Sequence, residues 1–64
     1  MVKLNDALWR LTRHSGEVFG YVESFTDPRG LRFRAKRLNR HRQRFIVLGE
    51  FWRLDDAIDS LSAD

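Results

Sequence analysis

Asp27-Pro28-Arg29-Gly30 stands between two runs in which apolar and polar residues alternate, Glu17–Thr26 and Leu31–Leu38. Pro at the second position presets φ for a type I turn, and Gly at the fourth accepts the positive φ that closes it. The two runs therefore fold back on each other as antiparallel strands. A chain of 64 residues has room for one hydrophobic core, so a central hairpin commits that core to one face of a sheet. The same alternation marks Leu8–Arg13, where Trp9 and Leu11 oppose Arg10 and Thr12, and Ser15-Gly16 supplies a two-residue turn into the next strand. A further strand is expected from about Arg44 to Glu50, after the polar loop Asn39–Gln43, while Met1–Ala7 reads as a lead-in.

Beyond Glu50 the period changes. Leu54, Ala57, Ile58 and Leu61 fall at i, i+3, i+4 and i+7, the apolar stripe of an amphipathic helix over 54–62. Asp55 and Asp56 lie in its first turn, where acids complement the helix dipole. So short a helix does not persist alone in water and must dock on the sheet. The expected fold is a single α+β domain, a three- to four-stranded antiparallel β-meander with one C-terminal α-helix packed on one face.

Pairing His14 with Glu17 and Thr26 with Leu31 fixes which residues share a face. Trp9, Leu11, Val18, Val22, Leu31, Phe33 and Ala35 form the expected bed for the helix, together with either Phe45 and Val47 or Ile46 and Leu48. The opposite face sets Phe19, Tyr21, Glu23 and Phe25 across from Leu38, Lys36, Arg34 and Arg32, with Arg10 and Thr12 beside them. Aromatic and cationic side chains mix there, and Tyr21 with Lys36 is a candidate cation–π pair. Phe51 and Trp52 are adjacent, so one belongs to the core and the other, Trp52, is a candidate for protein contact.

The charge is unevenly spread. Twelve Lys and Arg against nine Asp and Glu give only +3, yet Arg29, Arg32, Arg34, Lys36, Arg37, Arg40, Arg42 and Arg44 follow one another without an acid between them. From Glu50 onward there are five acids and one base. Such a basic segment attracts polyanions more strongly than the net charge implies. Other classes have little to stand on. With no Cys, two distant His and no Gly-rich phosphate loop or supported nucleophile, neither an enzyme, a metal site, a cofactor nor a small-molecule substrate is expected. No apolar run approaches the ~18 residues of a membrane span and no signal-peptide h-region is present, so a cytoplasmic location is expected.

Tyr21, Asp27-Pro28-Arg29-Gly30, Phe33 and Asp56-Ala57-Ile58 together resemble the small N-terminal arm-type DNA-binding domain of phage tyrosine integrases, over roughly Glu17 to Leu61. The resemblance implies a three-stranded sheet on one C-terminal helix, with the sheet entering the major groove and Tyr21, Arg29, Arg32, Arg34 and Lys36 turned to DNA. With no catalytic domain after Asp64, it implies a free-standing phage or prophage accessory or regulatory factor.

The functional expectation is double-stranded DNA binding without catalysis. Arg10, Tyr21, Arg32, Arg34 and Lys36 would present the open sheet face, while Arg29, Arg40, Arg42 and Arg44 clamp flanking phosphates. The alternative is a protein-interaction module, binding a host protein or a second copy through Phe19, Tyr21, Phe25 and Trp52 or through the last strand. Replacing Arg34 and Lys36 separates the two, since a DNA-binding face should lose affinity.

Overall fold

The computed structural model describes residues 1–39 and 41–62. It is an α+β fold in which five antiparallel strands lie in chain order: β1 (Val2–Asn5), β2 (Leu8–Thr12), β3 (Val18–Asp27), β4 (Gly30–Asn39) and β5 (Arg44–Phe51). The helix α1 (Leu54–Ser62) packs on one face. The architecture is the one expected, with one strand more. Met1–Ala7 is not a lead-in: Val2 pairs with Arg10 and Lys3 with Trp9, and Asn5 Oδ1 accepts a hydrogen bond from the Ala7 N–H at 2.8 Å to close the turn. All four β1 residues are exposed, so no burial pattern marked the strand.

The central hairpin follows its turn. Asp27 pairs with Gly30, leaving Pro28 and Arg29 as the loop, and the ladder runs unbroken from there to Gly20 opposite Arg37. Gly30 has φ 136°, and Asp27 Oδ1 accepts from the Arg29 N–H at 2.9 Å. The β2–β3 turn differs from expectation. The Arg13 N–H donates to the Glu17 carbonyl at 2.8 Å and the Gly16 N–H to the Arg13 carbonyl at 2.9 Å, giving a three-residue loop with Gly16 at φ 88°. A bulge then compensates: Thr12 pairs with Val18 but Leu11 with Gly20, so Phe19 is the extra residue. Beyond it, Arg10 opposite Tyr21 and Trp9 opposite Val22 stand as expected.

Trp9, Leu11, Val22, Ala35, Ala57 and Leu61 are the buried core, with Phe19, Phe33, Phe51, Leu54 and Ile58 packed around it. Phe19 thus joins the helix side through the bulge instead of lying on the open face. Leu31 is 53 % exposed, since it stands at the end of the ladder beside the turn. The expected contribution of β5 to the bed is also corrected. Phe45, Ile46, Val47 and Leu48 are exposed by 50, 46, 53 and 38 %, and neither proposed pair is buried. A bulge between Val47 and Gly49 instead brings Gly49 opposite Ala35 and Phe51 opposite Phe33. The Phe51 ring lies 3.2 Å from where a Gly49 Cβ would stand, so the glycine makes room for the ring. Arg37 Nη2 donates to the Leu61 carbonyl at 3.1 Å, satisfying one of the carbonyls left open at the helix end.

Candidate nucleic-acid interface

The open face carries a row of charges across three strands. Glu23 on β3, Arg34 on β4 and Glu50 on β5 are direct cross-strand neighbours. Arg34 donates from Nε and Nη2 to Glu50 Oε2 at 3.0 and 2.8 Å, and from Nη1 to Glu23 Oε1 at 3.1 Å. Lys36 Nζ reaches the same Glu23 oxygen at 2.9 Å. Arg32 lies 3.5 Å from Asp27 Oδ2 and 3.7 Å from Glu50 Oε1, and donates to the Glu50 carbonyl at 3.2 Å. Arg32, Arg34 and Lys36 therefore share three carboxylates, one of which, Asp27, Arg29 also approaches at 3.9 Å, and the network is close to neutral.

The aromatic side chains are engaged as well. The Arg34 guanidinium stacks 4.5 Å from the Phe25 ring and that of Arg32 4.7 Å from Trp52, with Arg29 at 5.9 Å from the same indole. Tyr21 meets Phe45 edge to face at 5.4 Å, and the Lys36 ammonium expected over Tyr21 turns to Glu23 instead. A shallow recess of about 230 Å³ opens between Leu8, Tyr21, Glu23, Lys36 and Phe45.

These contacts shift the titration of Glu23 and Arg34. The hydrogen bond from Lys36 holds the Glu23 carboxyl below its ordinary value of 4.5, Arg34 adds to the effect, and partial burial opposes it. Glu50 first and Glu23 second push the Arg34 guanidinium up. A carboxyl lowered in the folded state contributes stability above its unfolded pKa and loses it as the pH falls through the folded one. Stability is therefore expected to decline below pH 4.5, and Glu23→Gln to flatten that decline. Half-exposed pairs of this kind contribute about 0.2–1 kcal/mol each, so denaturant melts across the acid range would resolve the difference.

The expected interface thus divides in two. Tyr21, Arg32, Arg34 and Lys36 do share one face, beside Arg10, but all of these cations except Arg10 are tied to carboxylates. Arg29 stands at the β3–β4 turn, 3.9 Å from Asp27 Oδ1. Arg42 and Arg44 flank the opposite end of the sheet, exposed with His41 between the strands they join. Among the described residues, no carboxylate pairs with Arg10, Arg42 or Arg44. Arg40 lies outside the described residues. Of the residues expected to touch protein, Phe19 packs on the core, Phe25 is covered by Arg34, Tyr21 is half-buried and Trp52 remains 49 % exposed.

Glu23 stands on the face where it was expected, but its pairing with the cations was not foreseen, and Glu50 was missed altogether. Glu23 faces Arg34 in the register that the Asp27–Gly30 turn dictates, so its pairing could have been read from the sequence. Glu50 could not, because its partner depends on the β4–β5 register. Among the described residues, no three His, Asp or Glu side chains are grouped as a metal site would need, and no helix is long and apolar enough to cross a membrane. Comparison with protein-family models, characterised proteins and solved structures yields no match to this chain.

Proposed function

We propose that this chain is a non-enzymatic binder of double-stranded DNA that grips the phosphate backbone with the β4–β5 end of its sheet. The observation that carries the reading is the exposed pair Arg42 and Arg44, which no described carboxylate neutralises. Arginine forks match phosphate oxygens, and such contacts supply most of the affinity of a small basic domain. The sheet face then serves a different purpose from that first expected. Its cations other than Arg10 are already paired, so it adds little net attraction, but it offers guanidinium donors and carboxylate acceptors side by side, the two chemistries that read guanine and cytosine edges in a major groove. Duplex is favoured over single strands because Phe25 and Trp52 carry arginines across their rings and Tyr21 is half-buried edge to face against the half-exposed Phe45, so these rings form no continuous row on which successive bases could stack.

Fluorescence anisotropy of a labelled random duplex tests the reading. With about four phosphates neutralised, affinity should fall about 100-fold between about 50 and 200 mM salt. Absence of binding at the lower salt, or binding that salt does not weaken, would remove the proposal. A protein partner is the second reading, and it rests on the four exposed apolar side chains of β5.

A further inference from the structure

β5 is the last strand of the sheet, and among the described residues no strand neighbours its outer edge. It runs for eight residues, and Phe45, Ile46, Val47 and Leu48 stand exposed in succession, on both faces of the sheet. An edge of that length and apolarity is a template for another strand, and soluble proteins ordinarily blunt one with Lys, Pro or a cover. Neither residue occurs in β5. Its bulge lies beyond Val47, and Arg44 to Val47 pair regularly with β4. The other edge is different: β1 has four residues and carries Lys3.

We propose that β5 pairs antiparallel with β5 of a second copy, joining two five-stranded sheets into one of ten strands. Charge selects both the occupant and the orientation. Arg44 opens the strand with Arg42 just before it, while at the other end Glu50 sits in the neutral network, Asp55 pairs with Arg53 at 3.1 Å, and Asp55 and Asp56 open the helix. Antiparallel pairing sets each unpaired arginine pair beside the partner's acid-bearing end. Parallel pairing would stack the two arginine pairs on each other. The symmetry axis then runs perpendicular to the sheet, because residues facing each other across an antiparallel ladder point to the same side. Both helices share one face, and the two open faces merge into one.

The pairing does not depend on what the arginines bind, yet it bears on it. With the axis near Phe45–Val47, each Arg42 lies three to five residues away, so the two stand about 20–33 Å apart at about 3.3 Å per residue. One turn of B-DNA is about 34 Å, so both basic ends could reach successive turns of one duplex.

Sedimentation velocity and light scattering on the full chain test the proposal without DNA. The expected result is a species of twice 7.6 kDa at micromolar concentration, which Ile46→Lys or Val47→Lys returns to monomer while Leu4→Lys on the opposite edge leaves it intact. Far-ultraviolet circular dichroism shows that each variant compared is folded, and the second β5 variant serves if the first is not. A nitroxide on Gln43→Cys, unique because the chain has no Cys, reports orientation. Labels about 15–30 Å apart fit antiparallel pairing, whereas about 5 Å would mean parallel strands. A monomer at all concentrations, a dimer indifferent to both β5 lysines, a dimer broken by Leu4→Lys, or the short label distance would each overturn the proposal. Duplex binding by a strictly monomeric protein would overturn the dimer and leave the functional reading standing.

Discussion

Gly20→Ala is expected to lower the thermal midpoint by about 10–20 °C. A Cβ at this position would stand 2.6 Å from the Lys36 carbonyl oxygen and 2.8 Å from Leu61 Cδ2. One obstacle is the backbone of the neighbouring strand and the other is the residue that anchors the helix, so neither yields cheaply. Overpacking of this kind costs about 1–3 kcal/mol, occasionally more. A domain of this size has about 3–10 kcal/mol in total, and each kcal/mol moves its midpoint by about 4–8 °C. Thermal melts followed by circular dichroism check the prediction. Leu61→Ala alone would also destabilise, by about 2–5 kcal/mol, but the double variant should lose less than the sum. Shortening Leu61 removes one of the two clashes, while the Lys36 carbonyl remains, so a partial and not a complete coupling is expected. Full additivity would mean that the helix does not seat on Gly20.

The same six buried side chains explain which parts of the fold could be read from the sequence. Residues whose placement follows from a turn or from burial were legible. The Asp27–Gly30 turn dictates the β3–β4 ladder, and the apolar stripe of Leu54, Ala57, Ile58 and Leu61 fixes a helix with the observed bounds. Residues placed by irregular backbone were not. Phe19 alternates with its neighbours in sequence, yet the loop at Gly16 and the bulge that follows move it to the helix side. Gln43 takes φ 50°, a left-handed conformation that nothing in Asn39–Gln43 announces for a residue other than glycine. The strand it leads into therefore had no register, and neither did Glu50.

That missing register changes the meaning of the basic run. Counted along the chain, Arg29 to Arg44 carries eight cations and no acid. Folded, Arg32, Arg34 and Lys36 meet Glu23, Asp27 and Glu50 brought in from other segments of the chain. Local sequence charge thus overstates the field of the sheet face, while the loop end keeps its share. On the proposed reading, the affinity for DNA therefore lies at one end of the sheet and not in its middle.

Arg42→Glu combined with Arg44→Glu is accordingly expected to weaken duplex binding by about 100-fold or more, the larger of the functional effects. Removing two phosphate contacts should lower the slope of log affinity against log salt by about two, and the new carboxylates repel the backbone besides. Both positions are exposed and outside the core, so the thermal midpoint should barely move. The matched variant is Arg34→Gln with Glu50→Gln, which removes the central ion pair without changing net charge. It should leave the salt slope unchanged and lower stability instead, because cross-strand contacts are lost while the phosphate contacts are kept. Alanine at Arg34 alone would be a poorer probe, since it would leave Glu50 and Glu23 as unbalanced charge on the face. The two double variants therefore separate anchoring from scaffolding in one pair of titrations. If the slope falls for Arg34→Gln with Glu50→Gln and holds for the loop variant, the ion pairs open on binding and the sheet face itself grips phosphate. In that case the pairing of its cations in the free protein would be a cost that DNA must overcome, and affinity should rise in Glu50→Gln alone.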